Sequence, residues 1–515
     1  MPFGGLIGQF QDMALVSSVK ISRAMSKKRV ILLALLAYAF LGMLIRWAVP
    51  PPPAVGMAGP QRAAVDVDFY EDRSWLDNQG NRQLSQAIFD EILSMIRQSS
   101  KLILVDMFLF NDWQGPTPET HRALASELTD ALVVQKQQNP DLRVIVISDP
   151  INTVYSGTRS AHFDAMTDAG IEVVLTRLTE LQDSNPTWSG IWRLLIRPLG
   201  NGPGDWLPNP FGEGRVSIRS YLALLNFKAN HRKLLVTDSA SGSLRALVSS
   251  ANPHDGSSAH RNIALSFAGE AVMDLLRSES ALLTMSGANE QAAALEKFIV
   301  DHASPPGAVP DGQKHNADAS IQILSESRIR DALLTSIDAA QADDSVSMVM
   351  FYLSDRKIVS ALKAAQRRGA TVRVLLDNNK DAFGRSKNGV PNKPVAVELF
   401  AEGIDVRWCA TQGEQCHAKW LHVSTAAGDS SSDVFYVGSA NFTRRNLADL
   451  NLETDVRIES VPDHPIAVKM RGFFEDQWNN TDGFTYSHDY EKFAEDSLWL
   501  TMQYRFMEST GLSTF

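Results

Sequence analysis

An α/β fold built from two related lobes is predicted by the order of apolar runs along this chain of 515 residues. In each half, runs with helical spacing alternate with short apolar runs typical of buried strands, which is the pattern of repeated βα units. The segment A-G-I-E-V at 169–173 is echoed by E-G-I-D-V at 402–406. Such self-similarity indicates duplication. We therefore predict two lobes related by a pseudo-twofold axis, with the functional site at their interface.

Residues 1–29 form a basic tail, and an unbroken apolar run, V-I-L-L-A-L-L-A-Y-A-F-L-G-M-L-I, follows it. The run has sixteen residues, slightly short for a membrane span. Arg46 can snorkel, however, and Trp47 suits a membrane interface. We predict a transmembrane helix at 30–49, with a cytoplasmic N terminus and an exported remainder. A cleaved signal peptide and a buried helix are the alternatives.

Residues 50–64 are rich in proline and are predicted to form a stiff linker to the first lobe, residues 65–300. Within this lobe, Leu84, Ile88, Ile92 and Ile96 recur with helical spacing. The remaining runs predict strands at Leu102–Phe110, Leu142–Ser148, Ile171–Leu175, Ala246–Ser250 and Asn262–Phe267, and helices at Arg122–Gln138, Ala161–Ala169 and Glu270–Thr284.

Residues 301–319 contain several prolines and glycines with little apolar content, so they are predicted to link the lobes. The second lobe, residues 320–515, repeats the order of elements. It has a helix through Ile329, Leu333 and Ile337, strands at Val346–Leu353, Val372–Leu376 and Ile404–Trp408, and a helix at Lys357–Arg368. Apolar residues alternate from Leu498 to Phe506, which suggests a strand, although a helix is also compatible with this stretch.

The halves differ most in an insert between Arg177 and His231, where the first lobe has 54 positions and the second has 10. The insert contains Trp188 and Trp192. Structureless stretches of this length are usually functional or disordered. We predict a lid or apolar rim that contacts substrate; the alternative is a subdomain that packs its aromatic side chains inward.

The polar signal of the chain is a motif, H-x-K, that occurs once in each half. His231 and Lys233 form the first copy, and His417 and Lys419 form the second. Residues i and i+2 of a strand share a face, so each pair should project together. A small-residue turn ending in asparagine follows each copy, as Ser249-Ser250-Ala251-Asn252 and Gly438-Ser439-Ala440-Asn441.

These side chains suit a phosphodiester. One histidine can attack phosphorus while the other protonates the leaving oxygen. The lysine and asparagine side chains would hold the phosphoryl oxygens. Two cysteines occur, Cys409 and Cys416, and in an exported domain they could pair to close a short loop before His417. They are not a metal-binding set, and we predict neither a metal nor a cofactor.

Two H-x-K copies, each followed by S-x-N, resemble the phospholipase D superfamily. The second copy is closer, with H-A-K, then V-G-S-A-N-F-T, then Glu453. The first copy keeps the family aspartate as Asp238 but has Ser249 where glycine is usual. The second has Ser424 where aspartate is expected, and the first, by the same count, has Ala264 in place of Glu453.

The resemblance implies a phosphohistidine intermediate on a phospholipid, resolved by water in hydrolysis or by an alcohol in transfer, as in cardiolipin synthesis. His231 would be the nucleophile and His417 the general acid. It implies these further roles: stabilisation of phosphoryl charge by Lys233, Lys419, Asn252 and Asn441; support by Asp238 and Glu453; and substrate contact by Ser250 and Ser439. Trp188 and Trp192, in the predicted rim of the insert, are further candidates for substrate contact.

Two alternatives stay open, a nuclease of the same superfamily and a non-catalytic lipid-binding relative. The whole chain has a net charge of −10 and residues 1–49 carry +5, so residues 50–515 carry −15. This argues against nucleic acid as a partner, because nucleic-acid binders usually have a basic excess. The expected partners are a phospholipid and the membrane. Asn441-Phe442-Thr443 is a glycosylation sequon inside the motif, which favours the periplasmic side of a bacterial inner membrane.

Overall fold

The computed structural model describes residues 27–48, 51–52, 54–115, 121–239, 242–302, 315–382, 385–426 and 431–513. The predicted basic tail therefore lies outside the described residues, apart from its last three positions. Most of the predicted linker at 301–319 also lies outside them, while its last residues begin a strand at His315.

The first lobe and the segment before it contain eight helices and ten strands among the residues that the structure describes. In chain order they are α1 (Lys27–Ala48), β1 (Arg62–Leu76), β2 (Arg82–Ser85), α2 (Ile88–Gln98), β3 (Leu102–Met107), α3 (Leu124–Gln138), β4 (Arg143–Ser148), α4 (Ala161–Asp168), β5 (Glu172–Leu175), α5 (Pro186–Leu195), β6 (Leu207–Pro208), β7 (Arg215–Val216), α6 (Ile218–Leu224), β8 (Lys233–Asp238), β9 (Leu244–Ser249), β10 (Asn262–Ala268), α7 (Glu270–Met285) and α8 (Asn289–His302).

The second lobe follows with the same alternation of strands and helices. Its elements are β11 (His315–Ser325), α9 (Ser327–Ala339), β12 (Ser345–Met350), α10 (Arg356–Arg367), β13 (Thr371–Leu376), β14 (Asp381–Ala382), β15 (Arg385–Ser386), α11 (Asn392–Phe400), β16 (Asp405–Cys409), β17 (Lys419–Thr425), β18 (Ser432–Gly438), α12 (Arg444–Leu447), β19 (Thr454–Ser460), α13 (Pro465–Asn479), β20 (Ser487–Asp489) and α14 (Leu498–Thr510).

One large mixed sheet runs through both lobes, so the α/β prediction is confirmed. Its strand order is β20-β16-β13-β12-β17-β18-β19-β11-β1-β10-β9-β8-β3-β4-β5, with β2 paired to β1. The lobes meet where β1 and β11 pair antiparallel. Counted outward from this pair, the strands come in the same order on both sides, as an approximate twofold axis would arrange them. The H-x-K strands β8 and β17 take equivalent places.

Helices cover both faces of the sheet, which explains why its inner strands are apolar on both faces. In β3, Leu102 and Leu104 join a core that extends into the second lobe, whereas Ile103, Val105 and Met107 face a core confined to the first. A third core lies under α9, α10 and α11 of the second lobe. The shared core is the apolar layer that fixes the two lobes against each other.

The predicted transmembrane helix at 30–49 is not supported. A helix forms there, α1, but within the described ranges no helix combines the length and apolar character of a membrane span. The physical reason is that the uninterrupted apolar run between Arg29 and Arg46 has sixteen residues, whereas a span needs about 20. α1 packs against α5 of the insert and exposes much of its apolar surface.

The strand suggested at Leu498–Phe506 is also wrong, because this stretch belongs to helix α14. Leu500 and Tyr504, one helical turn apart, are buried against the second lobe. The alternation in sequence arose because apolar residues also occupy the outer face, where Leu498, Trp499, Met502 and Phe506 are exposed.

The insert is folded into helices α5 and α6 and the short hairpin β6–β7. Arg193 donates two hydrogen bonds, 2.8 and 2.7 Å long, to the buried carboxylate of Asp183, and Lys228 lies 2.7 Å from the same group. The Trp188 indole donates to the carbonyl of Leu222 at 2.9 Å. Burial of these charges in one ion-paired cluster gives the insert an interior of its own.

Candidate active site

The two H-x-K segments are brought together by reciprocal backbone hydrogen bonds between the lobes. The N–H of His231 donates to Leu452 at 2.9 Å, and the N–H of Leu452 donates to Ala229 at 3.0 Å. In the same way, the N–H of His417 donates to Arg261 at 2.8 Å, and the N–H of Arg261 donates to Gln415 at 2.9 Å. Each histidine is thereby held beside the segment of the other lobe that follows its S-x-N turn.

Each imidazole is oriented by a side chain from the opposite lobe. His231 Nδ1 lies 2.9 Å from Glu453 Oε1 and 3.0 Å from Oε2. His417 Nδ1 lies 3.0 Å from Asn262 Oδ1. Both acceptors follow directly after the bridging residues Leu452 and Arg261, so the same backbone connection positions both. In each ring the Nδ1 is occupied by this contact, which leaves Nε2 to react.

Asn262, rather than Ala264, is the counterpart of Glu453. The N–H of Ser250 donates to Ile263 and the N–H of Ser439 donates to Thr454, which aligns Asn262 with Glu453. The hydroxyl of Ser250 donates to Asn262 at 3.0 Å, and that of Ser439 donates to Glu453 at 2.5 Å. Counting residues from the asparagine gives the wrong partner because the intervening loop is two residues shorter in the first lobe.

The two lysines occupy equivalent positions next to the histidines. Lys233 Nζ donates to the carbonyl of His231 at 2.5 Å, and Lys419 Nζ donates to that of His417 at 2.6 Å. Each ammonium also lies over an aromatic ring, Lys233 5.0 Å from the centre of Phe108 and Lys419 5.2 Å from that of Phe351. Each ammonium is thus held next to its histidine, where its charge can stabilise a phosphoryl anion.

The asparagines complete both sets. Asn252 Oδ1 accepts from the N–H of Leu109 at 3.3 Å. Asn441 Oδ1 is buried and has no hydrogen-bond partner among the described residues. A buried amide without a partner is costly unless a ligand satisfies it. Because this oxygen is an acceptor, a hydroxyl or N–H group of a ligand would satisfy it, whereas the Nδ2 group of Asn441 is the one that could donate to a phosphoryl oxygen.

Burial sets the protonation of the site. It lowers the pKa of both His231 and His417 well below the usual value, and the lysine charges add to the effect. Burial also lowers the pKa of Lys233 to about 7 and raises that of Glu453 to about 7. Both imidazoles are therefore neutral in the free site, and the lysines lose their protons easily. A bound anion would strongly favour the charged lysine forms.

A family model described as "Cardiolipin synthase, PLD-like domain" matches residues 333–478, which include His417, Lys419, Asn441 and Glu453. The second lobe therefore matches this PLD-like domain family over most of its length. Among solved structures, phosphatidylserine synthase of Haemophilus influenzae Rd KW20 is similar in fold, with a TM-score of 0.53, 12% identity and coverage of 87% of this chain and 94% of that one.

Another similar structure is the phospholipase D family member Nuc of Salmonella typhimurium, with a TM-score of 0.27 and 24% identity. That alignment covers 34% of this chain and 99% of Nuc. A search of curated protein sequences finds no match.

The unusual residues of the first lobe compensate one another. At Gly438, a Cβ would lie 2.2 Å from Asp455 Oδ1, so glycine is required there. Asp455 accepts the N–H of Ala440 at 3.1 Å. In the first lobe, Ala264 stands opposite Ser249, and the Ser249 hydroxyl accepts the N–H of Ala251 at 2.8 Å. The same backbone donor is satisfied by a different side chain in each lobe.

Asp238 lies apart from the other predicted site residues, at the far end of β8 from His231. Its carboxylate accepts the backbone N–H groups of Ser100, Lys101 and Leu102 at 2.9–3.1 Å. In the second lobe, where Ser424 replaces this aspartate, Asp344 accepts the N–H groups of Gln341 and Ala426 at 2.8 and 2.9 Å. Both carboxylates fasten the turn that leads into the neighbouring strand.

Trp188 and Trp192 are half-buried on α5, and the Trp188 indole donates a hydrogen bond to Leu222 of α6. The insert reaches the histidines through another residue, Phe227, whose ring lies 5.3 Å from the guanidinium of Arg445. The charge of Arg445 in turn acts on His231. Phe227 is thus one insert residue that borders the site, and substrate contact by Trp188 and Trp192 stays a prediction.

Sequence reasoning missed several residues of this site. Phe108 and Phe351 were detectable, because each directly follows the buried strand that pairs with an H-x-K strand. Asn262 required the strand register. His260, whose ring centre lies 5.8 Å from that of His417, carries no motif signal. Among the residues described, no three His, Cys, Asp or Glu side chains are grouped to hold a metal ion.

Cys409 and Cys416 form a disulfide that spans the turn between β16 and the start of the second H-x-K segment. Cys416 N–H donates to Asp377 at 2.7 Å and Cys416 bridges to Arg261 of the first lobe. The disulfide therefore fastens the backbone directly before His417.

Proposed function

We propose that this protein cleaves the phosphodiester bond of phospholipids through a phosphohistidine intermediate. The observation that carries the proposal is the exchange of supports between the lobes: Glu453 orients His231 and Asn262 orients His417. Two such pairs around one interface give a nucleophile and an acid on opposite sides of a phosphorus atom.

In the first step, Nε2 of His231 attacks phosphorus and the bond to the head-group oxygen breaks. His417, protonated on Nε2, gives its proton to that oxygen, and the head-group alcohol leaves. In the second step, His417 takes a proton from water or an alcohol, whose oxygen attacks phosphorus and frees His231. Lys233, Lys419 and Asn441 stabilise the phosphoryl oxygens in both steps.

A phospholipid is favoured over a nucleic acid by charge and surface. Residues 50–515 carry a net charge of −15. Exposed apolar side chains lie on the insert, at Leu195, Leu199 and Trp206, and along one face of α14. The last turn of α14 meets the insert, since a Cβ at Gly511 would lie 2.1 Å from the Ser184 carbonyl. Such exposed apolar surfaces fit contact with acyl chains or a lipid surface.

An exported location forms part of the proposal. A disulfide persists in oxidising compartments, and Cys409–Cys416 closes in the lobe that carries His417. A reporter fused to the C terminus should accordingly be active in the exported compartment and inactive in the cytoplasm. Cytoplasmic activity of the reporter would overturn this part of the proposal.

The test is incubation of the purified protein with defined phospholipids, with and without an added primary alcohol, followed by product analysis. Hydrolysis yields phosphatidic acid, and transfer yields the phosphatidyl alcohol. His231→Ala and His417→Ala should both lose the reaction, whereas His121→Ala, a change at an exposed histidine, should keep it. Cleavage of single-stranded DNA with no phospholipid product would favour a nuclease instead.

A further inference from the structure

Two cationic side chains that the proposed mechanism does not use flank the histidine pair. Arg445 lies on the His231 side, and its charge adds to burial and the two lysines in lowering the pKa of His231. Lys387 lies on the His417 side, and its charge adds to burial, His254 and Lys419 in lowering the pKa of His260. Each cation is therefore close enough to the reacting centre to act on the groups around it.

Arg445 is held in place without a carboxylate partner. Its guanidinium carbon lies 5.3 Å from the ring centre of Phe227, and Nη2 donates to the hydroxyl of Ser513 at 3.2 Å. In the described ranges of the chain, no carboxylate oxygen lies within salt-bridge distance of it. Burial lowers the pKa of Arg445 to about 10. A guanidinium in this setting retains several free N–H donors and a desolvation cost that an anion would offset.

The backbone around Arg445 is strained on the side of the insert. Phe227 has φ = 52°, and Val154, Tyr155 and Ser156 have φ = 45°, 56° and 70°. Tyr155 interacts electrostatically with Arg445. Left-handed conformations of non-glycine residues are energetically unfavourable and concentrate at ligand clamps. Here the strained residues present Tyr155 and Phe227 to Arg445.

Lys387 is placed similarly from the second lobe. Its Nζ donates a short hydrogen bond to the Tyr352 hydroxyl and lies 5.0 Å from the centre of that ring. No ion pair of Lys387 is found within the described part of the chain. The Tyr352 ring lies 3.9 Å from that of Phe351, which in turn lies 4.9 Å from His417. Tyr352 also interacts electrostatically with Arg445, so it stands between the two cations.

A small open pocket lies beside Arg445. It is lined by Ser184 of the insert, by Arg444 and Arg445, and by residues in and just after the last turn of α14. A second guanidinium in the lining, that of Arg444, adds positive charge. The lining also contains the carboxyl group of Glu508, whose pKa burial raises to about 7, so the two guanidiniums give the pocket a net positive lining.

We infer that Arg445 and Lys387 form a second anion site, which selects substrates carrying another phosphate or carboxylate close to the scissile phosphodiester. This inference rests on the proposed function and names its substrate class: phospholipids with an acidic head group, or acidic alcohols as acceptors. Arg445 binds the anion through its fork of N–H donors, and Lys387 contributes a point charge from the other side.

The experiment compares two lipids that differ by one phosphate, phosphatidylglycerol and phosphatidylglycerol phosphate, in micelles of neutral detergent. Bis(4-nitrophenyl) phosphate, which has a single anionic group, reports the chemical step. Wild type should favour the lipid with the extra phosphate by roughly 10- to 100-fold in kcat/KM, the range of one charge-assisted hydrogen bond. Arg445→Gln and Lys387→Gln should reduce this preference by 10-fold or more, and Arg445→Lys should retain part of it.

The matched control is Lys357→Gln, which removes one exposed positive charge on α10. It should leave the preference unchanged, which separates local recognition from the effect of net charge. Thermal unfolding of each variant shows whether it is folded, and the Lys387 variant tests the inference independently if Arg445 is needed for folding. A wild type that cleaves the reporter and both lipids with equal kcat/KM overturns this inference alone. A wild type that cleaves none of the three overturns the proposed function, and the inference with it.

Discussion

The two lobes share their strand order and their H-x-K geometry, yet they place unlike groups behind the two histidines. A carboxylate, Glu453, faces His231, and an amide, Asn262, faces His417. A carboxylate stabilises a cationic imidazole and makes the neutral ring more basic, whereas an amide oxygen mainly fixes its orientation. The comparison teaches that near-identical scaffolds can assign different roles: it favours His231 as the nucleophile and His417 as the proton carrier.

The largest expected effect comes from removing either histidine. His231→Ala should abolish turnover and phosphoenzyme formation with every substrate, because no nucleophile remains. His417→Ala should lower turnover by about 10²–10⁴ with an ordinary head group. With a good leaving group it should still accumulate phosphoenzyme, which can be trapped by rapid acid quench. The reverse pattern of trapping would exchange the two roles.

The next effect tests the unlike supports directly. Asn262→Asp places a carboxylate beside His417 and should raise the pKa of that histidine, because the negative charge stabilises the imidazolium form. In the free protein burial keeps the pKa of both histidines below their usual value. As pH rises through the pKa of the acid, its proton is lost, so the alkaline limb of kcat/KM should lie below about pH 6.5. Asn262→Asp should move that limb to higher pH.

Glu453→Gln is the matched change in the other lobe. It should lower kcat/KM by about 10- to 100-fold, because His231 loses the carboxylate that makes it basic. It should move the acid limb to lower pH, because without the carboxylate the pKa of His231 is lower and more acid is needed to protonate the ring. If His417 were the nucleophile, Asn262→Asp would instead move the acid limb of the kcat/KM profile to higher pH. Profiles of kcat/KM against pH for the three proteins distinguish these cases.

A smaller effect, on stability, is expected at the turn where equivalent backbone N–H groups, of Ala251 and Ala440, bond to a serine in the first lobe and to an aspartate in the second. Gly438→Ser should destabilise the protein by about 1–3 kcal/mol, because its Cβ would meet Asp455 and the Thr454 carbonyl. Gly438→Ser combined with Asp455→Ala recreates the pair found at Ser249 and Ala264. The double variant should be more stable in urea than Gly438→Ser alone; equal or lower stability would show that the two positions do not compensate.

Much of the site could be predicted from sequence because period-2 spacing places a histidine and a lysine on one strand face wherever H-x-K begins a strand. The order of apolar runs likewise indicated two α/β lobes. Asn262 could not be found by counting, because the loops after Asn252 and Asn441 differ in length and only backbone hydrogen bonds fix the register. Arg445 carries no motif and depends on contacts with a distant insert.

Predictions from local pattern failed where packing decides the outcome. The alternation at Leu498–Phe506 fits a strand, but burial of Leu500 and Tyr504 on one helical face determines the structure. The apolar run at 30–45 is close to the length of a membrane span, so a difference of a few residues changes the expectation. In both cases the local sequence pattern carries no information about the surface against which the segment packs, and that packing decides the structure.

The smallest expected effect concerns Asp238, which sequence motifs group with the catalytic residues and the structure places at the opposite end of β8. Its carboxylate accepts backbone N–H groups at the turn before β3, and Asp344 does the same at the turn before β12. Asp238→Asn and Asp344→Asn each retain one acceptor oxygen and lose the charge, so each should cost about 1 kcal/mol in urea unfolding. Because both groups act on turns, the two variants should keep the pH limbs of kcat/KM where the wild type has them. A shifted limb in Asp238→Asn, with none in Asp344→Asn, would show that Asp238 acts on His231 through β8 and that the lobes differ in this respect as well.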